Sequence, residues 1–438
     1  MAPKTPLSSV LPPLLFGTAT FNHQYNKDPY ALDTTGLVRS ALEKGIRAFD
    51  TSPYYGPSES LLGAALSTPF VRQNFPREEY FLLTKVGRVA SDEFDYSPEW
   101  VRASVARSLR RLQTPYLDVV YCHDVEFVSD DEVVAAVREL RRLRDAPAST
   151  VRHVGISGYP VATLCRLAER VLRDTGEPLD AVMSYANFTL QNTTLATAGV
   201  RRLRAAGVDV VPNASPLGMG LLRREGVPVG SMGDFHPACA ELRAAVRDAS
   251  DLCDMHGERL EVIAIRFALE TWLHAGAEVG SRGDPASGVP WKRERIEEVG
   301  GQKLGVSVMG VSQPAELDKT MMVWRSILDG LEDGQSVADR AGRWKRAHEW
   351  SLNRKRAVQM LAEGVQECLA DWVDYAWDSP GDGFVNMRAK RRQAEEGEVG
   401  KQKTLTGKEA EAEAPWLTPA ASPEPEAAAA AATELPLR

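Results

Sequence analysis

The run Phe49-Asp50-Thr51-Ser52-Pro53-Tyr54-Tyr55-Gly56 sets a carboxylate and a phenol five residues apart, Asp50 closing a short apolar stretch and Tyr55 in the loop beyond it. A lysine and a histidine follow in Thr84-Lys85-Val86 and Tyr121-Cys122-His123-Asp124, each again at the end of an apolar run. Four such groups, presented from the ends of successive strands, make a proton-transfer site. A phenol is a poor acid or base near neutrality because it titrates near ~10. An ammonium beside it favours the phenolate and pulls its pKa toward the working range. Lys85 takes that part, Asp50 holds Lys85 charged and in place, and His123 hydrogen-bonds the substrate oxygen and orients the reacting carbon. Each residue alone has an ordinary reading: the Asp as a helix cap, the Tyr beside Gly as turn packing, the Lys as a surface charge, the His as a satisfied rim side chain. Their order, each at or just past a strand end, is what favours catalysis.

The elements that must position these groups alternate in type. Short β-branched runs at 14–20, 47–50, 81–86, 119–124, 153–157, 181–185, 209–215 and 306–312 read as strands, and between them 34–44, 98–112 and 130–143 carry apolar residues at helical spacing. The alternation predicts an α/β fold, a (β/α)8 TIM barrel over residues 1–330 whose site is built at the C-terminal strand ends. A doubly wound sheet is the structural rival, but no G-x-G-x-x-G follows the first strand. Residues 275–304, rich in Gly, Pro and mixed charge, read as a surface insertion. Residues 331–385 read as a helical extension on the barrel, with Trp344, Trp350, Leu361, Trp372 and Trp377 as its buried side chains. From 386 to 438 the Lys/Glu runs, Pro-Glu repeats and Ala tract predict a disordered tail. Its basic cluster, Arg388, Lys390, Arg391 and Arg392, reads as a solvated charge run in preference to an import signal.

Over the 438 residues, 43% hydrophobic content supports a large core and a net charge of −8 argues against a nucleic-acid surface. Five scattered cysteines without a C-x-x-C pair fit reduced thiols in the cytoplasm. The Pro-interrupted start does not read as a secretory signal, and no run is long and apolar enough for a membrane span. Composition leaves the oligomeric state open.

The four residues and their surroundings resemble the aldo-keto reductases over residues 14 to about 328. Asp50-Thr51-Ser52-Pro53-Tyr54-Tyr55-Gly56 with Ser58-Glu59, and Cys122-His123-Asp124-Val125-Glu126-Phe127, are similar to the aldose 1-dehydrogenase branch of that family. The resemblance implies hydride transfer between a nicotinamide cofactor and a carbonyl or alcohol carbon, with no metal, Tyr55 as proton donor or acceptor, and Asp50, Lys85 and His123 around it. It further implies that Ser157 grips the carboxamide, although Gly158 stands where relatives commonly have Asn. Tyr185 is either a ring stacked under the nicotinamide or barrel packing. Ser215, Leu217 and Gly218 match a loop that wraps the pyrophosphate. Gly310 and Glu316 stand where NADP-preferring relatives present basic residues, which favours NAD over NADP; Glu316 alternatively only favours a helix N-terminus through the dipole. The implied reaction is NAD-dependent oxidation of a small-molecule sugar, an aldose, at C1 to its lactone. Asp124 and Glu126 either bind sugar hydroxyls or face away into a salt bridge. The rivals are an NADPH-dependent aldehyde or ketone reductase using the same residues and a barrel that binds cofactor without turnover.

Overall fold

A computed structural model describes residues 5–227, 233–283, 303–331 and 343–388. Eight parallel strands close a barrel in sequence order: β1 Leu14–Gly17, β2 Ala48–Asp50, β3 Phe81–Val86, β4 Leu117–His123, β5 Val151–Gly158, β6 Ala181–Tyr185, β7 Asn213–Ala214 and β8 Ser307–Gly310. Closure is direct, with Gly17 of β1 in register with Asp50 on one side and Gly310 on the other.

The period of two along each strand sorts side chains to opposite faces. Leu15, Ala48, Leu83, Val119, Tyr121, Ala181, Met183 and Val308 share one apolar cluster, the barrel interior. Phe16, Phe49, Leu82, Val120, Cys122, Ile156 and Val182, one residue out of phase, belong to the cluster that meets the helices. Carrying the inward parity to the C-terminal ends selects Gly17, Asp50, Lys85, His123, Ser157, Tyr185 and Gly310. One alternation thus fills the interior with hydrocarbon below and delivers polar groups at the mouth.

Four strands are shorter than the sequence predicts, β2 by one residue, β1 and β8 by three each and β7 by five. β1 stops at Gly17, where the Thr18 N–H bonds the Asp50 carbonyl at 2.8 Å and the chain turns through Phe21 N–H to the Thr18 carbonyl at 2.9 Å. β7 keeps only Asn213–Ala214, with an isolated bridge between Ala181 and Val210. Pro212 has no N–H to donate, and Ser215, at φ 56°, turns the chain outward.

The helices begin as their sequences dictate. Asp33 accepts the Gly36 N–H ahead of Thr34–Glu43, Ser97 accepts the Trp100 N–H ahead of Pro98–Arg111, and Ser129 with Glu132 forms a capping box for Asp130–Asp145. Helix Arg343–Leu369 places Val358, Ala362, Val365 and Leu369 at helical spacing against Leu242, Val246, Ala249, Leu260 and Ile263 of helices Ala240–Met255 and Leu260–Ala275. Buried Arg266 strengthens the joint: it pairs with Glu270 at 3.0 Å and donates to Ser326 Oγ at 2.8 Å and to the Ser351 hydroxyl and carbonyl at 3.1 and 3.2 Å.

Of the tryptophans read as buried in this extension, Trp377 is, Trp372 is half-buried and Trp350 is 57% exposed. The apolar stripe of the helix passes through position 351, held by buried Ser351, and leaves Trp350 to its side. Leu361 is half-buried, and the Trp344 side chain lies outside the described residues. Contact with the barrel persists through the first three residues of the expected tail. Asn386 exchanges hydrogen bonds with the Phe94 backbone at 3.0 and 2.8 Å, and Arg388 pairs with Asp95 at 3.2 Å. The rest of the expected tail, with Lys390, Arg391 and Arg392, and positions 284–302 of the expected insertion lie outside the described residues. All five cysteines are free thiols. Among the described residues, no helix is long and apolar enough to cross a membrane.

Candidate active site

The tetrad is assembled by three strand ends and one turn. Lys85 Nζ donates to Asp50 Oδ1 at 2.7 Å and to the Thr51 carbonyl at 2.9 Å, and lies 4.9 Å from the centroid of the Tyr55 ring. The turn that carries Tyr55 is closed by its N–H on the Ser52 carbonyl at 3.1 Å and continues through Gly56 at φ 55°, a conformation that suits glycine. His123 meets Tyr55 edge-on, ring centroids 5.8 Å apart at 88°, and its carbonyl accepts the Tyr96 hydroxyl at 2.6 Å.

Burial and charge set the protonation states. Burial alone would lower Lys85, but Asp50 and Tyr55 together hold its ammonium above the ordinary value. Burial raises the Tyr55 phenol, and Lys85 offsets this only in part, so the net shift is upward. That reverses the expected depression: enclosure in the barrel mouth outweighs one neighbouring cation already engaged by a carboxylate. Burial pushes His123 down to about 3, with Asp124 opposing and Lys85 and Arg88 assisting, so the ring is neutral at physiological pH.

Around the tetrad stands a second set of groups, of which the sequence reading did not assign Arg88. Arg88, two residues past β3, forms an ion pair with Asp124, donates to the Tyr54 hydroxyl at 3.1 Å and lies 3.8 Å over the Tyr54 ring. Asp124 thus forms a salt bridge, but with Arg88 it lines the cavity and does not face away from it. Glu126 takes neither of its two expected roles: its Oε1 accepts the Tyr159 N–H and the Ser379 hydroxyl, each at 3.0 Å. Its Oε2 is buried without a hydrogen-bond partner among the described residues, and burial, with Asp124 adding, pushes the carboxyl up to about 8. A Cβ at residue 158 would lie 2.4 Å from that oxygen, which accounts for Gly158 where an asparagine was expected.

One cavity of about 1020 Å³ opens above the tetrad. Ser157, Tyr185, Ser215, Leu217, Gly310 and Glu316 all line it together with Asp50, Tyr55, Lys85 and His123. Tyr185 also packs on Tyr159, centroids 5.5 Å apart, so it is both cavity wall and barrel packing. Gly218 is not part of the wall: its N–H bonds the Ser215 carbonyl at 2.8 Å and its carbonyl accepts from His236 Nε2 at 2.8 Å. Its φ of 56° makes it a turn residue, with no free N–H for a pyrophosphate. Glu316 caps its own helix, Oε2 accepting the N–H groups of Ser312 and Gln313 at 2.7 and 3.2 Å. Gly310 is held small by Thr20, whose Cγ2 would be 3.1 Å from a Cβ there.

The donor set of the cavity fits a nicotinamide dinucleotide. Arg223, Arg224, Arg259 and Lys319 line the same cavity as Ser215, Leu217 and Gly220, cations suited to a pyrophosphate, with Arg224 also paired to Asp254 at 2.9 Å, while Ser157 stands in register with His123. Trp377, stacked on Tyr159 at 4.5 Å and 5°, joins Asp378 and Ser379 in the cavity wall. These cations were not singled out from sequence. Loop basic residues look alike until the fold places them, and Trp377 read only as packing.

The aldo/keto reductase family model matches residues 13–330. The chain is 43% identical to D-arabinose 1-dehydrogenase of Saccharomyces cerevisiae over 269 residues, 61% of this chain and 78% of the relative. It is 37% identical to L-galactose dehydrogenase of Arabidopsis thaliana over 240 residues, 54% of this chain and 70% of the relative. Superposition on the glycerol dehydrogenase of Gluconobacter oxydans gives a TM-score of 0.49 at 20% identity, covering 83% of this chain and 93% of the other. With most of its length matched, this chain belongs to the aldo/keto reductase family, whose members use nicotinamide cofactors on small-molecule substrates.

Proposed function

We propose that this protein oxidises an aldose at C1 to its lactone with NAD. The observation that carries the reading is the buried Asp50–Lys85 pair set under Tyr55 and beside a neutral His123, in a chain similar to two sugar dehydrogenases. Tyr55 takes the proton of the anomeric hydroxyl as C1 loses hydride, and Lys85, held by Asp50, stabilises the charge that passes through the phenolic oxygen. His123 donates a hydrogen bond to the same substrate oxygen and so fixes which face of C1 is presented. A bound nicotinamide supplies the hydride acceptor. Ser157 and Tyr185 orient it, and the cations that share the cavity wall bind its phosphates. The preference for NAD is supported by the carboxylate of Glu316 on the cavity wall, which repels a 2′-phosphate. The five free thiols support a cytoplasmic location.

A second reading, reduction of an aldehyde or ketone by NADPH, is favoured by two observations. The raised Tyr55 phenol suits a proton donor, and Lys319 and Arg259 on the wall suit a 2′-phosphate. Initial rates decide between them. NAD with a panel of aldoses, D-arabinose and L-galactose included, is to give turnover and lactone; activity confined to NADPH with simple aldehydes rejects the proposal. Tight cofactor binding without turnover on either panel identifies a binding barrel.

A further inference from the structure

The geometry points to Ser52 as a positioning residue that fixes the tautomer of His123, so that Nε2 carries the proton offered to the substrate oxygen. This deepens the reading of the site above and rests on it. Ser52 lies two residues past β2 and is fully buried, at 0% exposure. Its Oγ has two neighbours: the Tyr54 N–H, which it accepts at 3.1 Å, and His123 Nδ1, 3.1 Å away. A hydroxyl has one proton to give, and an N–H cannot receive it. Oγ has a second lone pair that could take an Nδ1–H, but that arrangement leaves the buried Ser52 O–H with no acceptor, at the cost of an unmade hydrogen bond; the O–H therefore points at Nδ1, and Nδ1 is unprotonated. A neutral imidazole then carries its single proton on Nε2.

The other side of the ring selects the same tautomer. Asp124 Oδ2 lies 3.6 Å from His123 Nε2, and the ion pair with Arg88 keeps that oxygen a carboxylate, which only accepts. At 3.6 Å it attracts the Nε2 proton without consuming it in a hydrogen bond. The proton is left for an oxygen in the cavity that His123 lines. An alanine at 52 leaves Nδ1 without a donor, and the Nδ1–H form becomes populated at the expense of the productive one.

The test is nitrogen NMR of the full-length protein labelled with ¹⁵N-histidine, the His123 signals being identified by their loss in His123→Gln. In the wild type, Nε2 is expected in the protonated range and Nδ1 in the unprotonated range. In Ser52→Ala the two signals move toward each other and kcat falls about tenfold, the size of one lost hydrogen bond in the transition state, with the cofactor KM unchanged. Ser52→Thr, which keeps the hydroxyl, returns both the NMR pattern and most of the turnover. A wild-type ring protonated at Nδ1 overturns the proposal, as does an unchanged tautomer in Ser52→Ala. Reading the wild-type tautomer needs no Ser52 variant to fold and no substrate. If no aldose is oxidised, the tautomer stands or falls by itself while the reaction assignment fails.

Discussion

The two halves of the barrel mouth are built differently. On the β2–β4 side, the polar side chains of the site are tied to close neighbours: Lys85 to Asp50 and the Thr51 carbonyl, His123 to Ser52, Arg88 to Asp124 and Tyr54. On the β7–β8 side the wall is made of a loop with left-handed residues at Ser215, Gly218, Met219 and Gly220, a helix cap at Glu316, and long cations that reach in from loops and helices. The first half fixes a few atoms to fractions of an ångström, as proton transfer demands. The second follows a ligand's length and charge, and its side chains can be exchanged with less disturbance.

Substitutions in the two halves should therefore differ in size and kind. Lys85→Met is expected to give the largest effect, because it removes the cation and strands Asp50 as a buried, unpaired charge. Turnover should fall on the order of 10²-fold or more, and stability by roughly 3–5 kcal/mol, read from denaturant midpoints. Asp50→Asn leaves Lys85 as a buried ammonium without a counter-ion but should cost less stability, since the amide oxygen and the Thr51 carbonyl can still accept from it. Equal losses in both variants would mean that a neutral oxygen does not replace the carboxylate at all and that the pair acts as one unit.

Next in size is the pH dependence. Only phenolate can accept a proton, and burial raises the Tyr55 phenol, so the rate of oxidation should climb about tenfold per pH unit through neutrality and still be rising near ~pH 9. Reduction uses the phenol and should stay level over that range, falling only above the raised value. His123, pushed down to about 3, adds no inflection near its ordinary ~6.5. A pH-rate profile with an oxidation plateau below about pH 7 would show that Lys85 wins over burial.

Smaller again is the change expected at the opposite end. Glu316→Arg exchanges a repulsive charge for an attractive one at a partly solvated wall and should shift the kcat/KM ratio of NADP over NAD by about five- to tenfold at fixed salt. It also removes a helix cap, at about 1 kcal/mol of stability. Glu316→Gln, which retains the cap, separates the two effects. An unchanged ratio in both variants would remove Glu316 from cofactor selection.

What was legible in the sequence follows the same division. Asp50, Lys85 and His123 each end a short apolar run, and the period of two that fills the barrel carries them inward without further information. The strand ends at Gly17 and around Asn213 were less legible, since a hydrogen bond to Asp50 and the missing N–H of Pro212 decide them. Trp350 was misread because hydrophobicity alone does not say which face of a helix finds a neighbour; buried Ser351 holds that face. Gly218 was placed on the right loop but in the wrong role, because whether an N–H is spent inside a turn depends on dihedral angles that residue type does not state. Arg88 and Arg224 gave no signal of their own, and Trp377 read only as packing: their partners Asp124, Asp254 and Tyr159 lie far along the chain.

The central claim is that Tyr55 moves the proton in a reaction for which the rest of the mouth only prepares. Steady-state turnover of Tyr55→Phe, measured beside cofactor affinity in the same preparation, tests it most directly. The ring and its packing survive the change, so cofactor should bind as tightly as in the wild type while kcat falls by on the order of 10²-fold or more. Retention of more than about a tenth of wild-type turnover would contradict the assignment of Tyr55 and, with it, the account of the site.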